Sequence, residues 1–212
     1  LANARAQRKR FKFPLRPLWA EGFLGAAVEH WTDAARPLTA HTINPFEPLM
    51  TRIDPKHIET MIDANGAGLA APQVYEPWRI VIFQAPPERA PEEVDEAEAF
   101  DHTAPLTILI NPEIEFLTTE SEKGWEGCLS VPGLRGAVPR VTALRYRGVT
   151  HKGEAIERVA RGFHARVVQH ECDHLDGILY PQRMDDLSEL IFESEAKAWL
   201  AARQPAEETE NG

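Results

Sequence analysis

The feature that most constrains this chain is the segment QHECDHLDG at residues 169–177. It contains the pattern HExxH, formed by His170, Glu171 and His174. On an α-helix, residues four apart lie on one face, so the two imidazoles can bind one metal ion. Glu171 directly follows the first histidine, where its carboxylate can reach a metal-bound water as a general base. The motif therefore predicts a hydrolytic metal site on a helix.

The residues around this motif favour a helix. Apolar residues recur at near-helical spacing at Phe163, Val167, Val168 and Leu175. Gly177 follows the last turn, where glycine commonly ends a helix. HExxH also occurs by chance, and an ordinary amphipathic helix with two histidines gives the same pattern. A further ligand is needed to separate these two interpretations.

A zinc-type site with two histidines needs a third protein ligand. The pattern HExxHxxGxxH would place it at position 180, but this chain has Tyr180 there, which excludes that pattern. Glu193 and Glu195 lie downstream at a distance that a thermolysin-like site uses. Upstream, Cys128 lies in the segment EGCLS, where Gly127 leaves the thiol accessible. A lone cysteine is more often a buried apolar residue, so both alternatives stay open at this point.

The composition indicates a globular protein and restricts its partners. The chain has 212 residues, and its apolar runs are too short to cross a bilayer. A formal net charge of -10 argues against nucleic acids and anionic membranes, so we expect neither DNA nor membrane binding. Two cysteines make no disulfide framework, which favours a reducing compartment. Cys172 projects away from the face of the two histidines, and we predict that it is a packed or free thiol.

The sequence divides into three parts. Residues 1–50 are basic at their start and irregular in pattern, and they predict an N-terminal extension of uncertain structure. Their first twenty residues contain no acid, so they could be a transit peptide, although a loosely docked tail is the preferred interpretation. Residues 51–204 carry the motifs and form the predicted catalytic domain. Residues 205–212 predict a disordered acidic tail.

Within the catalytic domain, short strands precede the motif helix. Asp54 and Pro55 predict the start of a helix that ends at Asn65–Gly66. Residues 86–101 hold seven acids and one arginine, which is typical of a solvated loop. A terminal helix is predicted over residues 184–202. The predicted strands cover residues 79–84, 106–110 (ended by Asn111–Pro112), 113–118, 141–147 and 153–160. This order indicates an α+β fold.

Three separate segments resemble the signature motifs of one enzyme family. GAGLAAPQ at 66–73, EGCLS at 126–130 and QHECDHLDG at 169–177 closely resemble, in this order, the three motifs of the peptide deformylases. The resemblance runs from about Asp54 to Met184. It implies an α+β fold in which mostly antiparallel sheets surround a central metal-binding HExxH helix, followed by a C-terminal helix. It implies a metal-dependent hydrolase that removes the N-formyl group from the N-terminal methionine of newly synthesised polypeptides.

The resemblance also implies roles for individual residues. A metal-bound water would attack the formyl carbon, with Glu171 as general base and acid. Gln73 and the backbone N–H of Leu129 would stabilise the oxyanion. The implied metal ligands are Cys128, His170 and His174. The implied substrate-binding residues are Gly66, Ala67, Gly68, Glu126 and Arg166.

Cofactor, partners and location follow from the same resemblance. It implies one divalent metal ion, typically Fe(II), and the mixed thiolate and imidazole ligands also suit Zn(II), Ni(II) or Co(II). The implied partners are N-formylmethionyl nascent peptides in the cytoplasm, with an organelle matrix as the alternative. Ribosome proximity is compatible, but residues 181–212 carry eight acids and three bases, so no basic C-terminal helix is expected.

Two departures from the family pattern and two alternative functions remain. Ala67 replaces a bulkier residue and Arg166 an apolar one, so we expect a less strict preference for methionine. The first alternative is another HExxH metallohydrolase, a peptidase with Glu193 or Glu195 as third ligand. The second is a non-catalytic relative that binds peptides or metal.

Overall fold

The computed structural model describes Met61 and residues 66–96, 98–201 and 203, which form two antiparallel sheets with helices between and after them. The predicted helix from Asp54 lies outside the described residues except for Met61, and so do the N-terminal extension and the acidic tail. The strands are β1 Gly68–Ala70, β2 Ile80–Ala85, β3 Ala104–Phe116, β4 Ser121–Cys128, β5 Val131–Val141, β6 Ala143–Val149, β7 Ala155–Arg161 and β8 Leu190–Phe192. The α-helices are α1 Ala99–His102, α2 Gly162–Leu175 and α3 Ala196–Ala201.

The larger sheet has the strand order β1-β2-β3-β6-β7, and each neighbouring pair is antiparallel. Strand β2 has the sequence IVIFQA, whose β-branched and aromatic residues suit a buried strand. Phe83, Leu109 and Leu144 from this sheet are fully buried, and they pack in one cluster with Val168 and Leu175 of α2. The apolar face of α2 is therefore held against the larger sheet.

The smaller sheet has the order β4-β5-β8 and lies against the other side of the α2 motif. The pairing of β4 with β5 shifts register between Gly127 and Cys128. Such an irregularity re-aims the side chains that follow it. Cys128, the last residue of β4, is thereby placed next to α2.

A glycine with a positive φ angle lies at each end of α2. Gly162 begins the helix with φ +55, and Gly177 lies just beyond its end with φ +71, conformations that glycine adopts without steric cost. The amide of Gly177 donates to His174 O, and the amide of Ile178 donates to Asp173 O. The predicted helix and its glycine stop are both present.

The Asn111–Pro112 pair does not end a strand, so this prediction is wrong. Strand β3 runs through it from Ala104 to Phe116 and joins the two strands predicted at 106–110 and 113–118. Asn111 takes φ 50, and the register between β3 and β6 shifts between Ile110 and Glu113. The residues that were expected to form a turn instead form an irregularity inside a long strand.

The C-terminal helix is present but begins only at Ala196, not at residue 184. Residues Leu187–Glu189 and Glu193–Glu195 form 3-10 helices, and Leu190–Phe192 form β8. Ile191 lies opposite Arg135 of β5 and is buried there. Tertiary pairing with the smaller sheet therefore overrides the helical spacing of the apolar residues.

The remaining elements agree closely with the sequence. Strands β2, β6 and β7 lie within about two residues of their predicted positions. The acidic segment 86–101 is mostly exposed, as expected for a solvated loop, although it contains a 3-10 helix at Pro87–Arg89 and the start of α1. Among the described residues, no helix is long and apolar enough to span a membrane.

Candidate active site

Helix α2 and the end of β4 bring together three side chains that could hold a metal ion, here called the ligand cluster. Helix α2 carries His170 and His174, and β4 supplies Cys128. One ligand atom from each lies within 4.8 Å of the others, and Cys128 Sγ is 3.2 Å from His174 Nε2. Within the described part of the chain, no other group of three or more His, Cys, Asp or Glu side chains is close enough to hold a metal ion.

The alternative third ligands lie elsewhere. Glu193 and Glu195 are exposed, in the 3-10 helix that follows β8, and neither belongs to the ligand cluster. Tyr180, at the position of the excluded motif ligand, is buried and stacks on the His170 ring at a centroid distance of 6.4 Å. The geometry of the described residues therefore favours the cysteine over either glutamate.

The charges at this cluster suit a divalent cation. Burial raises the pKa of the Cys128 thiol, but the nearby His174 and His170 outweigh burial and hold the pKa well below its usual value. A thiolate and two imidazoles form a ligand set that binds zinc or iron and leaves a further coordination position open. The residues present thus fit a single metal ion.

The orientation of His170 is fixed by buried carboxylates and an arginine. His170 Nδ1 lies 2.8 Å from Glu126 Oε2, and because a carboxylate only accepts, Nδ1 carries the proton and Nε2 is left for a metal. Arg140 donates to Glu126 Oε1 at 2.9 Å and to Asp173 Oδ2 at 2.6 Å. Burial raises the pKa of Glu126, but His170 and Arg140 outweigh it and lower this pKa to about 2. Glu126 is therefore an anion at neutral pH, next to the His170 ring.

Gln73 lies beside the Cys128 thiol, and hydrogen bonds at both ends of its side-chain amide hold it in place. Its Oε1 accepts from the backbone N–H of Ala70 at 2.9 Å, and its Nε2 donates to Ser130 Oγ at 3.0 Å. The same nitrogen is 3.6 Å from Cys128 Sγ. The predicted amide donor is therefore next to the ligand cluster, and both ends of its amide are fixed.

Glu171 is buried, and one of its oxygens has no partner. Oε2 makes no hydrogen bond to a described residue. Burial raises the pKa of Glu171 to about 7, although His170 and His174 act to lower it. A Cβ atom on Gly68 would overlap the Glu171 carboxylate, so the glycine of this strand makes room for the acid. An unpartnered carboxylate oxygen at this place can take a proton from a water or give one to a leaving group.

A cavity of about 170 Å³ opens onto these groups. Its lining includes Gln73, Leu129, Glu171 and all the predicted substrate-binding residues, which are Gly66, Ala67, Gly68, Glu126 and Arg166. Sequence reasoning missed other lining residues, which are Arg89, Trp125, Arg135, Phe163 and Val167. No local motif marks them, because the cavity is assembled from segments that are distant along the chain.

Arg166 connects helix α2 to the smaller sheet. It donates to the backbone oxygens of Val138 at 2.8 Å and Glu122 at 2.7 Å, and to Glu126 Oε1 at 2.9 Å. A Cβ atom on Gly124 would lie 2.7 Å from Arg166 Cζ, so this glycine makes room for the guanidinium. The arginine is therefore part of the cavity wall and also a clamp between helix and strands.

Cys172 is the packed thiol that the sequence predicts. It is buried in the same apolar cluster as Val168 and Leu175, on the side of the larger sheet, and is not part of the ligand group. Burial raises the pKa of this thiol, the opposite of the shift at Cys128. The two cysteines therefore have different environments and different chemistry.

Comparisons with known proteins show which family the chain resembles. The family model for polypeptide deformylase matches residues 27–189. Peptide deformylase 2 of Ralstonia nicotianae is 53% identical over 146 residues, which cover 68% of this chain and 78% of that protein. Peptide deformylase 1 of Nitrosomonas europaea is 56% identical over 129 residues, covering 61% of this chain and 69% of that protein.

Solved structures give the same result for the fold. A Met-Ala-Ser-bound class I type b peptide deformylase from Acinetobacter baumannii superposes with a TM-score of 0.58 at 34% identity, covering 70% of this chain and 91% of that one. Peptide deformylase from Thermotoga maritima gives 0.58 at 31% identity, covering 73% and 92%. The chain thus belongs to the polypeptide deformylase family of metal-dependent hydrolases, and it removes the N-formyl group from the N-terminal methionine of new polypeptides.

Proposed function

We propose that Cys128, His170 and His174 bind the single metal ion used by this family, and that Glu171 transfers the proton during deformylation. The observation that carries this proposal is the ligand cluster within 4.8 Å beside the unpartnered Glu171 Oε2. When bound, a divalent ion polarises the formyl oxygen and lowers the pKa of water to near neutral. Fe(II) is the ion we propose, with Zn(II), Ni(II) and Co(II) as ions that the same ligands accept.

Glu171 acts as the proton carrier. Its Oε2 accepts the proton of the attacking water and then gives it to the departing amine, which becomes the new N-terminus. Two features support this role: the carboxylate is buried, and burial raises its pKa towards neutrality, which matches the pH at which a general base and acid is most effective. The absence of a side chain at Gly68 leaves room for this carboxylate beside β1.

Gln73 and the backbone N–H of Leu129 stabilise the oxyanion that forms at the formyl carbon. The amide of Gln73 is held by Ala70 on one side and Ser130 on the other, so its nitrogen is directed to the cluster without further ordering. Leu129 follows the thiol ligand and lines the cavity. Each such fixed donor typically contributes about 3 kcal/mol to stabilising the transition state.

The cavity binds the N-terminal end of the peptide. Gly66, Ala67, Gly68 and Arg166 all line this cavity. Glu126 takes part through His170, because His170, Arg140 and Arg166 occupy its oxygens. The small Ala67 and the charged Arg166 give a pocket whose preference for methionine is less strict than in relatives with apolar residues at both positions.

The domain limits and the location are also proposals. We place the catalytic domain at residues 51–204, after an extension at 1–50 and before a tail at 205–212. The substrates are formyl-methionyl nascent peptides, and we propose the cytoplasm, or an organelle matrix, as the place where they are met. Residues 181–212 carry eight acids and three bases, so we propose no ribosome contact through a basic helix.

Release of formate from formyl-Met-Ala-Ser tests this function. Protein loaded with Fe(II) without oxygen should release formate, and Glu171→Ala should reduce kcat by a factor of about 100 to 10,000 while keeping one metal per chain. Glu193→Ala is the matched control, since this exposed glutamate lies outside the cluster. Full activity in Glu171→Ala would refute the proposed proton carrier, and no formate from metal-loaded parent protein would refute the proposed site.

A further inference from the structure

The segment that follows helix α2 approaches the ligand cluster without lining the cavity. It forms a 3-10 helix over Tyr180–Arg183. The backbone N–H of Leu179 donates to Gln182 Oε1 at 2.7 Å, so the turn is fixed by its own residues. In a 3-10 helix, side chains three residues apart lie on the same face. Tyr180 and Arg183 can therefore both reach α2 from this segment.

Tyr180 packs directly on a histidine of the ligand cluster. Its ring stacks on the His170 ring, with the ring centroids 6.4 Å apart and the planes 20° apart. The side chain is buried, and its hydroxyl makes no hydrogen bond to a described residue. A Cβ atom on Gly136 of β5 would lie 3.0 Å from Tyr180 Cε2, so this glycine leaves room for the ring. The tyrosine ring thus limits how far the imidazole can tilt.

Arg183 reaches the same histidine through a continuous series of hydrogen-bonded ion pairs. Its Nη2 donates to Asp173 Oδ1 at 2.6 Å, and its Nε donates to Asp173 Oδ2 at 3.1 Å. Arg140 donates to Asp173 Oδ2 at 2.6 Å and to both oxygens of Glu126 at 2.9 Å. Glu126 Oε2 in turn accepts from His170 Nδ1 at 2.8 Å. We call Arg183, Asp173, Arg140 and Glu126 the ion-pair series.

The members of the ion-pair series hold one another at fixed angles. The side chains of Arg140 and Glu126 are each 5% exposed and that of Asp173 is 11% exposed, so water competes little for their hydrogen bonds. A guanidinium is planar, and Arg140 binds two carboxylates at once, so a change at Asp173 is passed on to Glu126. Arg183 is 46% exposed and contacts both oxygens of Asp173. It therefore ends the series at the protein surface.

We propose that Tyr180 and Arg183 are positioning residues for His170, Tyr180 by direct stacking and Arg183 through the ion-pair series. This inference rests on the proposed role of His170 as a metal ligand. Groups that contact a ligand set the direction of its lone pair, and loss of a direct partner typically lowers metal affinity by about 10- to 100-fold. Arg183 acts through three further side chains, so its effect is smaller than that of a direct partner.

Metal affinity in matched variants tests the proposal. Arg183→Met and Tyr180→Leu should each weaken Zn(II) binding by about three- to tenfold, measured by competition with a chelator. Tyr180→Phe keeps the ring and removes only the hydroxyl, so its affinity should stay within about twofold of the parent value. Arg79→Met is the control for Arg183→Met, because Arg79 pairs with Asp176 just after α2 at 2.7 Å, outside the ion-pair series. Its affinity should equal that of the parent.

The Co(II) form of the protein reports the orientation of the ligands separately from affinity. Its visible absorption bands depend on the geometry of coordination. Arg183→Met and Tyr180→Leu should change these bands, whereas Arg79→Met and Tyr180→Phe should give the parent spectrum. A residue that only stabilises the fold would leave the spectrum of the folded protein unchanged.

A double variant tests the route from Arg183 to the histidine. In an Asp173→Asn background, Arg183→Met should cause a smaller loss of Zn(II) affinity than in the parent, because the ion pair is already weakened. An equal loss in both backgrounds would overturn this route. Parent-like affinity and Co(II) spectra in both Arg183→Met and Tyr180→Leu would overturn the proposal as a whole.

One further variant separates this proposal from the proposed metal site. His170→Ala should lose the metal, because it removes a proposed ligand. Full metal occupancy in His170→Ala would refute the proposed site itself. Loss of metal there, together with parent-like behaviour of Arg183→Met and Tyr180→Leu, would refute only the positioning roles.

Discussion

The two sheets hold helix α2 by different means. The larger sheet contacts it through apolar side chains, among them Phe83, Leu109 and Leu144, all fully buried. The smaller sheet contacts it through buried charges, in which Arg140 bridges Glu126 of β4 and Asp173 of α2. Apolar packing is nondirectional, whereas hydrogen-bonded ion pairs fix angles as well as distances.

This difference explains where the ligand cluster lies. Metal ligands need to be oriented within narrow limits, and the buried ion pairs fix the orientation of His170, one of the ligands that we propose. The apolar cluster stabilises the docked helix by removing its apolar side chains from water. We therefore expect substitutions on the side of the larger sheet to reduce stability alone, and substitutions on the side of the smaller sheet to reduce activity as well.

The largest effect is expected when each of the two cysteines is replaced by alanine in a separate variant. Cys128→Ala should lose the metal and reduce formate release by a factor of at least about 1,000, since a ligand is removed. Cys172→Ala, on the side of the larger sheet, should keep the metal and cost about 1 kcal/mol of unfolding free energy. Metal content and formate release measure the first effect, and urea unfolding the second. Full metal occupancy in Cys128→Ala would contradict the assigned ligand.

Breaking the buried ion pairs should affect both properties. Arg140→Met leaves Glu126 and Asp173 with fewer donors, and removing one partner of a buried pair costs about 3–5 kcal/mol. Metal affinity should fall by about 10- to 100-fold, because Glu126 orients His170. Urea unfolding and competition with a chelator measure these changes. Arg145→Met, in an exposed pair with Glu115, is the control and should change stability by less than about 1 kcal/mol.

A substitution that creates a cavity beside the larger sheet should reduce stability and leave activity unchanged. Leu144→Ala removes a fully buried side chain from the apolar cluster, which costs about 2–5 kcal/mol. At a temperature where the variant remains folded, kcat should stay within about twofold of the parent value, since no residue of the ligand cluster is touched. Leu106→Ala, at a partly exposed position of β3, is the control. A large loss of kcat in folded Leu144→Ala would refute the separation of the two sides.

The smallest effect concerns pH. His164 is fully buried against Phe83 and Tyr146, and burial lowers its pKa to about 4 from 6.5. The unfolded chain therefore binds the extra proton first as pH falls. The contribution is present above pH 6.5 and is lost towards pH 4, which amounts to about 2 kcal/mol between pH 7.5 and pH 5. His164→Phe should reduce the change in unfolding free energy between pH 7.5 and pH 5 by about that amount. Equal pH dependence of the unfolding free energy in the parent and the variant would contradict the prediction.

The sequence predicts the site better than it predicts the elements around the site. Each of the three motifs contains the residues that it predicts for the site. The structure brings Cys128, Gln73 and the two histidines of α2 close together, as the motifs predict. Sequence reasoning misses the cavity arginines Arg89 and Arg135, because neither of them lies in one of the three motifs.

The elements that sequence reasoning misplaces depend on long-range pairing. Asn111 and Pro112 have the local character of a turn, but β2 and β6 on either side hold β3 extended through them. Ile191 has helical spacing with its neighbours, but pairing with β5 turns its segment into a strand. Local propensity loses in both places because sheet contacts outweigh a preference of less than about 1 kcal/mol per residue.

The placement of the thiol at the end of β4, away from the helix that bears the imidazoles, has a consequence for the energetics of the whole molecule. An ion held by Cys128 and His170 would cross-link the smaller sheet to α2 and close the long chain segment between them. Loading with metal would then raise the protection of β4 and β5 amides against hydrogen exchange by mass action, while β2 and β3 would change little. The local stability of the smaller sheet would then depend on the concentration of the metal, whereas the local stability of the larger sheet would not.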